Sequence, residues 1–316
     1  MTPTVSVCVS TFGRATRLDR LLAALARQDL GGTLEVVVYD DASTDDTAAV
    51  LARWQQSGRL ALTVLHGEVN RGPAYGRNAA WQAAHGELVL FTDDDCQPAR
   101  GWAGAHLAAC APGRVTVGRT GPDPAQADVD GPFSRTLRVE DATHFQTCNV
   151  GYPRALLEQL GGFDHRYRRA AGEDTDLGLR ALEAGAEPVF VPAALVHHDV
   201  RPSSWWAALQ ETAKWVDIPL FAARHPATAG TVLHSHRWWR RTHPVAVLAA
   251  AGVVGALRHP VALAAVVPWV RLRTGDAPVN ARRRHWPWVL PAQLVIDLAE
   301  VATLARGSAR HRRLLL

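Results

Sequence analysis

The chain has 316 residues, 47% of them hydrophobic, and a formal net charge of +4. A chain of this length and composition can bury one large core or two smaller ones, which excludes intrinsic disorder. The charge is unevenly placed: from Arg201 onward 16 basic residues face 5 acids (+11), and before it 18 face 25 (−7).

Eight of the eleven tryptophans follow the basic part: Trp205, Trp206, Trp215, Trp238, Trp239, Trp269, Trp286 and Trp288. Basic residues with Trp point to a membrane surface or an anionic partner. No zinc-knuckle spacing, helix-turn-helix pattern or RNP-like aromatic strand accompanies them, so no nucleic acid is expected. The four cysteines, Cys8, Cys96, Cys110 and Cys148, show no CxxC spacing and read as reduced, packed thiols. "TVSVCVSTF" begins a strand almost at once, so no signal peptide is expected and the first part of the chain is expected in the cytoplasm.

Val5 to Ser10 reads as a strand, followed by a helix from about Arg17 to Arg27 with Leu18, Leu21, Leu22 and Leu25 at helical spacing. "LEVVVYDD" is a second strand, and "STDDTAAVLARWQ" a capped helix. "LALTVLHG" is a third strand, "GRNAAWQAAHG" a helix, and Leu88 to Phe91 a fourth strand running into Asp93, Asp94 and Asp95. Strand and helix alternating at short intervals predict a mostly parallel α/β sheet covered on both faces.

In such sheets ligands bind beyond the carboxyl ends of the strands. Ser10 and Phe12, Asp40 and Asp41, and Asp93 to Asp95 all fall there. Three adjacent carboxylates repel, which is tolerable in water or around a cation. Neither GxGxxG nor GxxxxGK[ST] is present, so a bound diphosphate needs another counter-charge, and a divalent cation on the acids would serve. Past residue 100, "GRTGPDPAQADVDGPF" reads as an exposed loop. Pro153 to Leu160 and Asp174 to Ala184 then read as helices, and "AEPVFVPAALVHHD" as a strand with His197 and His198 just after it.

The motifs "VSVCVSTFGR", "YDDASTDDT", "NRGPAYGRNAA", "DDD" with Pro98 after it, "CNVGYPRALLEQLGGFD" and "GEDTDLGLR" resemble an inverting glycosyltransferase of family 2 over roughly residues 4 to 200. The resemblance implies a GT-A fold: a Rossmann-like, mostly parallel sheet flanked by helices, here with a C-terminal helical extension. The expected division is a catalytic domain over 1–225 and a basic, Trp-rich helical region over 226–316.

By the same resemblance Asp41 holds the nucleotide base, and Ser10 and Phe12 line its pocket. Asp93 and Asp95 are the outer acids of the DxD motif, with Asp95 the direct ligand of Mg²⁺ or Mn²⁺. Arg77 is a second counter-charge for the diphosphate. His197 resembles the histidine that completes the metal site, with His198 beside it leaving the choice open. Asp174 matches the general base, although Glu173 and Asp174 could simply cap a helix. Asp40, Asp94, Asn149, Arg154 and Asp176 carry both a functional and a structural reading.

"ALQETAKW" lacks the Arg-Trp pair of processive synthases, so transfer of a single sugar is expected. The donor would be a nucleotide-diphosphate sugar, and the acceptor a saccharide, a lipid-linked molecule or a peptide. The alternative is a non-catalytic module that binds nucleotide sugar or glycan. Pro244 to Leu257 and Pro260 to Val270 are apolar runs that as helices reach only about 21 Å and 17 Å, short of a roughly 30 Å hydrocarbon core. Such helices suit the membrane interface, peripheral on the inner face of the cell membrane, or packing on the protein itself.

Overall fold

The computed structural model describes residues 4–129, 131–167, 169–235, 237–275 and 286–316; the side chain of Trp286 and the arginines at 282–284 lie outside the described part. The first seven elements follow the order that periodicity predicts: β1 (Val5–Thr11), α1 (Ala15–Leu25), β2 (Leu34–Asp40), α2 (Thr47–Ser57), β3 (Ala61–His66), α3 (Pro73–Ala83) and β4 (Leu88–Phe91). Continuous apolar runs form β1, β2 and β4 because helices cover both sheet faces. On α1, Leu18, Leu21, Leu22 and Leu25 all turn inward.

Next come β5 (Cys96–Pro98), α4 (Trp102–Ala109), β6 (Arg114–Pro122), β7 (Val150–Pro153), α5 (Arg154–Leu160), α6 (Glu173–Glu183) and β8 (Glu187–His198). The eight strands form one sheet in the order β3-β2-β1-β4-β7-β6-β8-β5. β3, β2, β1 and β4 are parallel neighbours, whereas β7 runs antiparallel to both β4 and β6. The expected exposed loop is corrected at its start, since "GRTGP" belongs to β6, which pairs along β8. Its alternating strand signal is masked by Gly118, Gly121 and Pro122. His197 and His198 end β8 rather than follow it.

By contact the chain divides into two units: residues Met1–Asp128 with Thr136–Val200, and Val129–Arg135 with Arg201–Leu316. That division falls ahead of the expected change at 225/226. In the first unit, the core joins both sheet faces, with Phe91 edge-on to Tyr152 and Phe163 at ring distances of 6.3 and 5.0 Å.

The second unit is helical: α7 (Trp205–Glu211), α8 (Ile218–Arg224), α9 (Thr242–Gly255), α10 (Val267–Gly275) and α11 (Trp286–His311), with 3-10 segments at Thr212–Asp217 and Pro260–Val266. Ala246, Ala249 and Trp269 form a small core against Leu290, Leu294 and Leu298 of α11. From Trp288 to His311, α11 is long and apolar enough to cross a membrane by length and composition. Its inner side nonetheless carries paired acids: Asp297 accepts from Trp269 Nε1 at 2.8 Å and pairs with Arg273, and Glu300 lies 3.1 Å from His243 Nε2 and 3.4 Å from Arg240 Nε.

Candidate active site

Parallel register brings the carboxyl ends of β1, β2 and β4 to one edge, with Thr11 opposite Asp40. Asp41 continues from β2 and is 2% exposed. Its two oxygens accept the backbone N–H groups of Arg71 at 2.9 Å and Gly72 at 2.8 Å, which fixes the turn into α3. Gly72 holds φ 87°, a left-handed conformation that suits glycine. Asp40 accepts from Ser43 N at 3.0 Å, the turn-capping role. Ser10 lies under α3: a Cβ on Gly76 would be 2.2 Å from its Oγ. Phe12 is half exposed at the same edge.

The mutual repulsion of the acid run is offset by two arginines, Arg77 at Asp93 and Arg14 between Asp94 and Asp95. Asp93 accepts from Arg77 NH2 at 2.8 Å. Asp94 does not face water: it is buried, accepts from Thr11 Oγ1 at 2.8 Å and Arg14 NH1 at 2.6 Å, and burial pushes its pKa up to about 6. Asp95 lies 3.3 Å from Arg14 NH1 and 3.5 Å from His198 Nε2.

Strand register sets the two histidines against different residues of β5. Cys96 and His198 are directly opposite across β5 and β8, as are Gln97 and His197. Residues directly opposite share a face, and consecutive residues alternate faces. Asp95 lies just before β5, and it is distance that places His198 beside it: Nε2 is 3.5 Å from Asp95 Oδ1, and Asp95, Cys96 and His198 offer ligand atoms all within 4.8 Å of one another. A buried carboxylate and an imidazole fit a divalent cation.

Arg77 is buried, with its guanidinium between Asp93 and Glu173, donating to Glu173 Oε1 at 2.7 Å. Burial works against its charge, but the two acids outweigh that and raise its pKa. Any charge it offers a phosphate is thus shared with two carboxylates. Glu173 Oε2 is buried without a hydrogen-bond partner among the described residues. Asp174, partly exposed, accepts from Thr175 N at 2.7 Å. Burial first, and then the neighbouring charge of Glu173, hold its carboxyl well above the usual carboxylate range.

Three residues with two readings make contacts within the protein. Asn149 Oδ1 accepts from Trp102 Nε1 at 2.8 Å, and its Nδ2 donates to the carbonyls of Arg119 and Ala194 at 2.9 Å. Arg154 Nε donates to Gly86 O at 2.9 Å. Asp176 is fully buried, 2.9 Å from Arg180 Nε and 3.2 Å from Tyr167 OH. Arg14 and Glu173 are the site residues that sequence reasoning passed over. Each lies inside a quoted motif, but its partner is distant along the chain.

The description "Glycosyl transferase family 2" matches residues 6–127, and "Glycosyl transferase family group 2" matches residues 129–296. The chain belongs to glycosyltransferase family 2. It is 32% identical over 256 residues to the succinoglycan biosynthesis protein ExoU of Rhizobium meliloti, covering 73% of this chain and 71% of that one. Validoxylamine A glucosyltransferase of Streptomyces hygroscopicus subsp. jinggangensis is 31% identical over 227 residues, or 60% of this chain and 53% of that one. The chain spans about half the length of the latter and of a pre-mycofactocin glycosyltransferase from Mycobacterium tuberculosis. Among solved structures, a mannosyltransferase from Pyrobaculum calidifontis in complex with GDP-Man and Mn²⁺ superposes with a TM-score of 0.61 at 21% identity, covering 99% of this chain and 88% of that one. Staphylococcus aureus TarS 1–349 in complex with UDP gives 0.54 at 20% identity, covering 98% and 92%. The family-2 chain thus has the GT-A fold.

Proposed function

We propose that this glycosyltransferase moves a single sugar from a nucleotide-diphosphate sugar to a saccharide, lipid-linked or peptide acceptor with inversion at the anomeric carbon. The observation that carries the reading is the connection Asp93–Arg77–Glu173, which ties the acid run to the helix bearing Asp174. Donor-side and base-side groups therefore share one set of contacts. Nucleotide and nucleotide-sugar complexes of the structural neighbours support the donor class.

Asp95 and His198 would hold Mg²⁺ or Mn²⁺, which supplies positive charge to a departing diphosphate. Asp41 fixes the turn against which the base would lie, with Ser10 and Phe12 beside it. Asp93 orients Arg77, and Arg77 in turn pairs with Glu173 beside Asp174. Asp174 would take the acceptor hydroxyl proton as the oxygen attacks from the face opposite the diphosphate. Its raised pKa suits that step, because a base whose pKa approaches the working pH accepts a proton more readily than an ordinary carboxylate. The proposed setting is the cytoplasmic side of the membrane, supported by the basic, Trp-rich second unit. A panel of nucleotide sugars screened for binding and slow hydrolysis with Mn²⁺ tests the reading. At least one donor should be bound and hydrolysed, and silence across the panel would refute it.

A further inference from the structure

Helix α9, THPVAVLAAAGVVG, is apolar around nearly its whole circumference. Such a helix is stable when protein covers every side or when an open side meets lipid. Its inner side is covered: Ala246, Ala249 and Gly252 are buried. The segment Pro260–Val266 returns so closely that a Cβ on Gly252 would lie 2.7 Å from Ala262 O and 2.8 Å from Ala265 Cβ. Its outer side is open. Val254 is 67% exposed, and at the turn of this hairpin Leu257 is 87% and Val261 80% exposed.

The surroundings say what covers that side. No Asp or Glu occurs from Thr242 to Gly275. Between Pro244 and Val270 the polar side chains are Arg258, His259 and the buried Trp269. The polar groups that rim this surface are basic, with no acid among them to pair with the cations of a protein partner. Arg241, Arg258 and Arg271 are exposed, and their charge matches an anionic headgroup layer.

We propose that the hairpin of α9 and Pro260–Val266 is a membrane-docking wedge. Leu257, Val261 and Val254 enter the acyl region of one leaflet while Arg241, Arg258 and Arg271 meet anionic headgroups. At about 21 Å, α9 is too short to cross a roughly 30 Å core, so the wedge stays in one leaflet. Arg258 beside the turn reaches back to the phosphates by extending its side chain. The inference gives a physical basis to the membrane surface expected from sequence and does not rest on the sugar-transfer reading.

The test is flotation of the full chain with vesicles of phosphatidylglycerol and phosphatidylcholine, and with phosphatidylcholine alone, at low and high salt. The chain should float with the anionic vesicles. Leu257→Asp with Val261→Asp should lower the bound fraction at least about tenfold, since an acid in the acyl region is strongly disfavoured. Arg258→Gln with Arg271→Gln should weaken binding less and flatten its salt dependence. All four positions are exposed, and an unchanged thermal midpoint in each variant verifies the fold. Flotation unaltered by the aspartates would overturn the proposal. So would a chain that ignores vesicles but self-associates in sedimentation until the aspartates disperse it. Nucleotide-sugar binding, measured separately on each variant, should stay as in the parent; its absence from the parent would count against the transfer reading alone.

Discussion

The two units treat charge and apolar surface in opposite ways. In the first, acids such as Asp41, Asp94, Asp95 and Glu173 are buried and held by backbone N–H groups or arginines, while Phe12, Val69 and Leu137 are its exposed large apolar side chains among the described residues. In the second, Trp205, Trp206, Val254, Leu257 and Val261 are exposed, beside buried large side chains such as Phe221, Trp269 and Leu304. A sheet with helices on both faces can close its own core, and the polar groups it then buries have to be paired. The second unit buries a core and also leaves an apolar side open at Val254, Leu257 and Val261, the kind of surface that marks an interaction site.

The largest effect expected from the first unit is catalytic. Asp174→Asn should lower single-turnover transfer by about 10² to 10⁴-fold with donor affinity nearly unchanged, as removal of a general base does. Lost affinity with normal transfer by the bound fraction would move the base elsewhere, first to Glu173.

Packing gives the next contrast, read by denaturant unfolding. Phe91→Ala, at the centre of the first core, should cost about 3–5 kcal/mol. Val254→Ala, on the open side of α9, should stay within about 0.5 kcal/mol. Comparable costs would mean that the open side is packed after all.

A smaller effect follows from the raised pKa of Asp174. Transfer requires its ionised form, so the rate should fall as pH drops through that raised value. Stability runs the other way. The folded state binds the proton more tightly than the unfolded chain, so this group's contribution is fully present below the unfolded pKa and lost as pH rises through the folded one. Asp174→Asn should therefore be more stable than the parent above the raised pKa, with the gap closing only below the ordinary carboxylate pKa. Calorimetry across pH checks this, and a gap of the opposite sign would contradict the raised pKa of Asp174.

The alternation from β1 to β4 was legible because each strand is a local apolar run and each helix a local stripe, with punctuation by residues such as Gly72, Pro73 and Gly86. The acids were legible because parallel strands bring their carboxyl ends to one edge whatever the details of packing. What escaped depends on pairing between distant segments. The approach of His198 to Asp95 joins segments about a hundred residues apart, and β6 is hidden by its glycines until β8 pairs with it. Asn149 looked like a ligand contact because sequence cannot show that Trp102, Arg119 and Ala194 use its amide.

The most direct test of a donor site built on Asp95 and His198 is calorimetric titration of nucleotide sugars with Mn²⁺ or with excess chelator, on the parent and on Asp95→Ala, His197→Ala and His198→Ala. The expected result is donor binding that needs the cation, disappears in Asp95→Ala, weakens in His198→Ala and persists in His197→Ala. Full binding in chelator, or loss in His197→Ala with retention in His198→Ala, would contradict it.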